Sequence, residues 1–200
     1  MKILLLLTPL FLLVGGWLFY YSSRRSRMLQ EFSAKLGLVY QSADDGRLER
    51  QLNCALQLEA PLGRDFSRIK DLADADGIQL FRVTEALDLS PYGLPQNSHF
   101  GRIAVSFSVA SQAQLFFLAR GSKEFRPIVP NTVAQTADIP EFQCLQQLIS
   151  SFPPPHTLSL TLMRGRLLAY LERLVTGSEK EPELSYLLEF AQHARRKLRS

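Results

Sequence analysis

Reactive side chains are sparse in this chain of 200 residues: three histidines (His99, His156, His193), two cysteines (Cys54, Cys144) and a short series of aspartates. A Cys–His nucleophilic pair needs a base within reach of the thiol and a third group to orient it. Nothing in the sequence arranges either. His193 precedes Arg195 and Arg196 near the end of a helical pattern, which suits a solvated or dipole-facing role. His156 follows three prolines at the entry to a strand pattern. His99 falls in a polar loop read over Leu89–Gly101, where exposure and function often coincide, so an unrecognised enzyme would draw on it. Asp71, Asp74, Asp76 and Gly77 have the spacing of part of a calcium loop. In that register the first ligand position is Leu72 and the twelfth Val83, so the opening Asp and the closing Glu are both missing. They read instead as acids beside a hairpin turn.

The two cysteines fall short of the roughly four closely spaced ligands of structural zinc. They read as small buried hydrophobes, and a disulfide between them would need an oxidising compartment. No glycine fingerprint for a dinucleotide or phosphate and no nucleophile elbow is present. The expectation is no metal, no cofactor and no assignable catalytic residue, with the chain leaning away from being an enzyme.

Charge is informative through its position. The chain carries +4 overall with a pI of about 9.2. Residues 1–27 hold Lys2, Arg24, Arg25 and Arg27 with no acid, and Arg195, Arg196, Lys197 and Arg199 add four more cations. The body between them is therefore at −4. A nucleic-acid binder concentrates Lys and Arg on the folded domain, so nucleic acid is not an expected partner. The basic tail reads as the last turn of a helix complementing its dipole, or as a patch against anionic lipid.

Ile3–Tyr21 is an uncharged run of 19 residues, ILLLLTPLFLLVGGWLFYY. At about 1.5 Å per residue a helix of that length nearly spans a hydrocarbon core of about 30 Å. Pro9 and Gly15–Gly16 are tolerated in lipid, and Trp17, Tyr20 and Tyr21 crowd one end, as rings at the headgroup level do. A cleaved secretory signal would place its charges before the run and a small-x-small site after it. Here Arg24, Arg25 and Arg27 follow the run and only Lys2 precedes it, so an uncleaved anchor is expected, with the C-terminal side in the cytoplasm.

The remaining pattern is mixed. Residues 24–37 predict a juxtamembrane helix with Met28, Leu29, Phe32 and Leu36 on one face and Gly37 as its cap. A short strand follows at Leu38–Tyr40, then a helix over Gly46–Leu58 capped by Asp44 and Asp45. Asp76–Gly77 is a hairpin signal. Strands are expected at Ile78–Val83, Arg102–Val109 and Gln114–Ala119, then a long irregular link marked by Pro127, Pro130 and Pro140. A helix over Phe142–Phe152, a hairpin of Leu158–Leu162 with Leu167–Leu171, and a helix beginning near Pro182 complete the chain. The hydrophobic share of 46% and charged share of 21% suit a folded chain. The fold class predicted is α+β: an N-terminal transmembrane helix (1–23), a juxtamembrane helix (24–37) and an α+β cytoplasmic domain (38–200) whose antiparallel sheet is covered by helices on one face.

Several stretches carry a resemblance. FSAKLGLVY at Phe32–Tyr40, GIQLFRV at Gly77–Val83, HTLSLTLMRGRLLAYLERLV at His156–Val175 and ELSYLLEFAQHARR at Glu183–Arg196 are similar to uncharacterised bacterial membrane proteins that carry a domain of unknown function. The resemblance implies a membrane-tethered cytoplasmic α+β domain in the inner membrane and supplies no catalytic residue. The leading functional expectation is a module that binds a protein partner or scaffolds an envelope complex. A small-ligand or lipid sensor, or an enzyme with an unrecognised site, is the alternative.

Overall fold

The computed structural model describes residues 20, 24, 26–56, 65–87, 98–111, 113, 115–120, 124–127, 139–163, 165–172 and 180–198. Most of the apolar run, including Ile3, Trp17 and Tyr21, lies outside these residues, as does Arg25. Among the described residues no helix is long and apolar enough to cross a membrane.

Four helices and eight strands are described. Helix α1 covers residues 26–35. Its end follows from Gly37, which at φ +66° takes the left-handed conformation that terminates helices. The Leu38 N–H then reaches the Ser33 carbonyl (2.9 Å) and the Gly37 N–H reaches that of Ala34 (3.3 Å). Leu36 is therefore past the helix and half exposed (51%), off the apolar face that its spacing predicts, whereas Leu29 and Phe32 are buried. Strand β1 (Val39–Ala43) leads to α2 (Arg47–Leu56). The Asp44 carboxylate accepts from the Leu48 and Glu49 N–H groups, at 3.3 and 3.0 Å, which caps α2 as predicted.

Strands β2 (Asp65–Ala75) and β3 (Ile78–Leu87) form the hairpin about Asp76–Gly77. Both turn residues have positive φ, +53° and +82°, as a two-residue turn matching the twist of its strands requires. β4 (Ser98–Ser108), β5 (Leu115–Arg120) and β6 (Glu124–Pro127) follow, then α3 (Pro140–Ser151), β7 (Thr157–Met163), β8 (Arg166–Glu172) and α4 (Glu181–Lys197). Every pairing is antiparallel, in the order β1-β2-β3-β4-β8-β7-β5-β6. The late β7–β8 hairpin thus inserts between β4 and β5. Its apolar residues Leu158, Leu160, Leu162, Leu167 and Ala169 are fully buried, which suits strands with neighbours on both sides.

The fold is α+β with an antiparallel sheet, as expected, and beyond Leu36 it departs from the sequence reading in three further places. Residues 98–101 are strand, and His99 stands opposite Ala86 in the β3–β4 ladder rather than in a loop. The Ser-His-Phe-Gly sequence carries little alternation, so only pairing with β3 reveals the strand. The link after β5 contains β6, where Pro127 is tolerated because an edge strand has unpaired donors to spare. Finally, helices cover both faces. One core gathers Leu29 and Phe32 of α1 with α3, α4 and the sheet; the other gathers Leu48 and Leu52 of α2 with Ile69, Leu72, Phe81, Val83 and Tyr170. The central strands are apolar on both sides, with Leu80 and Phe81 adjacent and both buried, so a helix on each face is required.

Candidate functional site

The residues expected at the membrane are described only in part. Tyr20, Arg24 and Arg27 have helical backbone and are exposed, Tyr20 at 60%. Just beyond them a polar cluster joins α1 to the sheet. Asp71 lies in a bulge of β2, where Asp71 and Leu72 together face the single residue Phe81. Its φ of +54° is in the left-handed region, which Asp tolerates better than most residues. The bulge turns its carboxylate toward the face that α1 covers. There Oδ2 accepts from Ser26 Oγ (2.9 Å) and pairs with Arg82 Nε (3.0 Å), while Oδ1 accepts from Tyr40 OH (2.7 Å). Asp71 is nearly inaccessible, and a cation and two hydroxyls take the place of water around its carboxylate. Four elements meet in this one contact set: α1, β1, β2 and β3.

The cluster has a measurable signature. Burial, the hydrogen bond to Asp71 and that carboxylate's charge push the Tyr40 phenol up to about 12, against a smaller opposing effect of Arg82. A phenol raised in the folded state contributes stability that is complete below its unfolded value near 10 and is lost as pH climbs toward 12. Tyr186, also raised by burial, acts in the same direction. Denaturation titrations should therefore show stability falling from about pH 10 upward, with a shallower fall in Tyr40→Phe. Identical alkaline slopes for the two proteins would remove Tyr40 from the account.

Other candidates resolve differently. The Cys144 thiol is half-buried and free, and burial pushes it up ahead of the lowering by Lys197, the reverse of what a nucleophile needs. α2 and α3, which carry Cys54 and Cys144, pack on opposite faces of the sheet. His193 is exposed, with its ring 6.0 Å from that of Phe152. His156 meets the buried Glu183 at 3.1 Å. Glu183 also accepts the Lys180 N–H at 3.1 Å, closing the first turn of α4. This pair, 27 residues apart, gave no sequence signal, and its second bond is a helix cap. Arg195 reaches from the last turn of α4 to the Asp76 carbonyl, so one cation of the basic tail ties that helix to the β2–β3 turn. Asp74 Oδ1 accepts the Gly77 N–H (2.9 Å), the turn role expected of it.

A polar cleft of about 440 Å³ lies on the other face, between α2 and the first strands. Arg166, from β8, reaches across its floor. Nε donates to Ser106 Oγ (2.9 Å), Nη1 to Gln51 Oε1 (3.3 Å) and Nη2 to Gln79 Oε1. Burial pulls this guanidinium below its ordinary pKa. The sequence marked Arg166 only as part of a turn, because its partners come from three distant segments.

No family model and no curated protein matches the chain. Among solved structures, the chain is similar to the mycobacterial trehalose monomycolate transport factor A, at 9% identity and a TM-score of 0.46, over 88% of this chain and 94% of that one. A likeness so faint defines neither a family nor a function.

Proposed function

We propose that the chain is a single-pass protein of the bacterial inner membrane, anchored by Ile3–Tyr21, whose cytoplasmic α+β domain serves as a protein-interaction or scaffolding module of the cell envelope. The observation that carries this reading is how α1 joins the domain. Leu29 and Phe32 are part of the main core, and Ser26 is bonded to the buried Asp71. A helix emerging from an anchor and built into the core in this way presents the domain at a set angle rather than on a loose leash. The three arginines after the apolar run support the orientation, and the −4 body argues against nucleic acid. No clustered nucleophile, base and orienting group supports an enzymatic reading among the described residues.

Paired C-terminal reporters test the topology, one active only in the cytoplasm and one only outside it. Activity of the cytoplasmic reporter alone is the expected result, and the opposite pattern overturns the orientation. Cross-linking in intact cells followed by capture in mild detergent tests the role. A reproducible stoichiometric partner is expected, lost when Ser26 and Phe32 are both changed to alanine; repeated recovery of none would count against scaffolding.

A further inference from the structure

The cleft beneath α2 keeps opposite charges apart. Arg166 makes three hydrogen bonds, all to neutral oxygens of Ser106, Gln51 and Gln79. Asp45 and Asp74 line the same cleft, yet among the described residues neither forms an ion pair with Arg166. Asp74 pairs with Gln79 across β2 and β3, so it stands one strand, about 5 Å, from the glutamine that holds the guanidinium. The carboxylates are only partly committed. Asp74 Oδ1 accepts the Gly77 N–H and Asp45 Oδ1 the Arg47 N–H, each at 2.9 Å, while the second oxygen of each takes no donor from the described residues. Of the roughly five N–H donors of a guanidinium, Arg166 leaves about two unused.

Two cations, Arg47 and Arg166, and three acids, Asp44, Asp45 and Asp74, line this cleft, and among the described residues none of them forms an ion pair with another. Here Gln79 stands between the charges: it holds the cation, and Asp74 lies on the next strand beyond it. A simple anion entering the cleft would meet the aspartates, and a simple cation would meet Arg166 and Arg47. A molecule with both charges would satisfy each wall at once.

We propose that this cleft binds a small zwitterion of amino-acid type, its carboxylate held by Arg166 and its ammonium by Asp74 and Asp45. The site is independent of the anchor and of the orientation proposed above. Gln51 and Gln79 hold the guanidinium in place, and its spare N–H groups are the donors the ligand carboxylate would take.

The test is isothermal titration of the full-length chain in non-ionic detergent with glycine, β-alanine, γ-aminobutyrate and O-phosphoethanolamine, and with acetate and ethylamine as single-charge controls. At least one aminocarboxylate is expected to bind, with acetate and ethylamine weaker by roughly tenfold or more, the factor that one charge-assisted contact supplies. Arg166→Gln should weaken binding by a similar factor. Asp74→Asn, which keeps an oxygen for the Gly77 N–H and so preserves the turn, should do the same and guards against misfolding of the first variant. Tighter binding of O-phosphoethanolamine than of any aminocarboxylate would overturn the carboxylate assignment. The proposal also fails if no zwitterion binds at millimolar concentration, if acetate binds as tightly, or if Asp74→Asn with an unchanged melting point binds like the parent.

Discussion

Asp71→Ala is expected to lower the melting midpoint by roughly 10 °C, corresponding to about 3–5 kcal/mol for breaking a buried ion pair in a domain of this size. Two effects add. The Arg82 side chain is only 15% exposed, so water can replace the lost Asp71 carboxylate there only in part. Alanine also tolerates the left-handed backbone at φ +54° less well than aspartate does. Asp71→Asn separates the two, since asparagine accepts that backbone and keeps an acceptor for the Tyr40 hydroxyl while losing the charge. It should fall between the parent and the alanine variant. Ser26→Ala and Tyr40→Phe each delete one hydrogen bond and should cost only about 1 kcal/mol. Thermal unfolding of the purified protein followed by circular dichroism checks the series. A midpoint for Asp71→Ala within about 2 °C of the parent would show that the cluster contributes little to stability.

Phe32→Ala should cost about 3–5 kcal/mol, the range for deleting a buried aromatic ring. Phe32 is 3% exposed and packs in the main core beside Leu29. The comparison is Leu36→Ala, four residues on and 51% exposed, which should stay within about 0.5 kcal/mol of the parent. The contrast matters for function. If α1 were only a tether between anchor and domain, both substitutions would be nearly silent. A large loss at Phe32 alone places the helix inside the cooperative unit, as the proposed presentation of the domain requires. Equal, small effects at both positions would sink that proposal.

Local features were legible where a single residue type answers a single geometric need. Gly37 ends α1, Asp44 caps α2 and Asp76–Gly77 turns β2 into β3, because positive φ and unpaired helix N–H groups restrict the choice of residue within a few positions. The β7–β8 hairpin was legible for the same reason, with Gly165 at φ +74° and its Cβ position only 3.0 Å from the Val109 carbonyl. Leu36 misled because helical periodicity continues past the point where Gly37 has already ended the helix.

The polar sites were not legible, and the reason is distance along the chain. Ser26 and Asp71 are separated by 45 residues, Arg166 and Gln79 by 87, and Arg166 and Gln51 by 115. No window holds both partners, and each residue alone has an ordinary solvated reading. In sequence Asp71 reads as one acid of an incomplete calcium pattern; the β-bulge that rotates its carboxylate into the interior depends on pairing with β3.

By itself, then, the sequence determined the antiparallel α+β class, most of the helix and hairpin positions, and the apolar run followed by arginines. Each is a local or periodic property. The tertiary structure decided that α2 covers the second face, that α1 is locked to Asp71, and that Arg166 shares a cleft with Asp45 and Asp74, each of which has only one oxygen engaged by the described residues. The last of these follows from strand order: inserting β8 beside β4 brings Arg166 opposite Ser108 and next to Gln79 and Ser106, a neighbourhood that exists only once the sheet has formed.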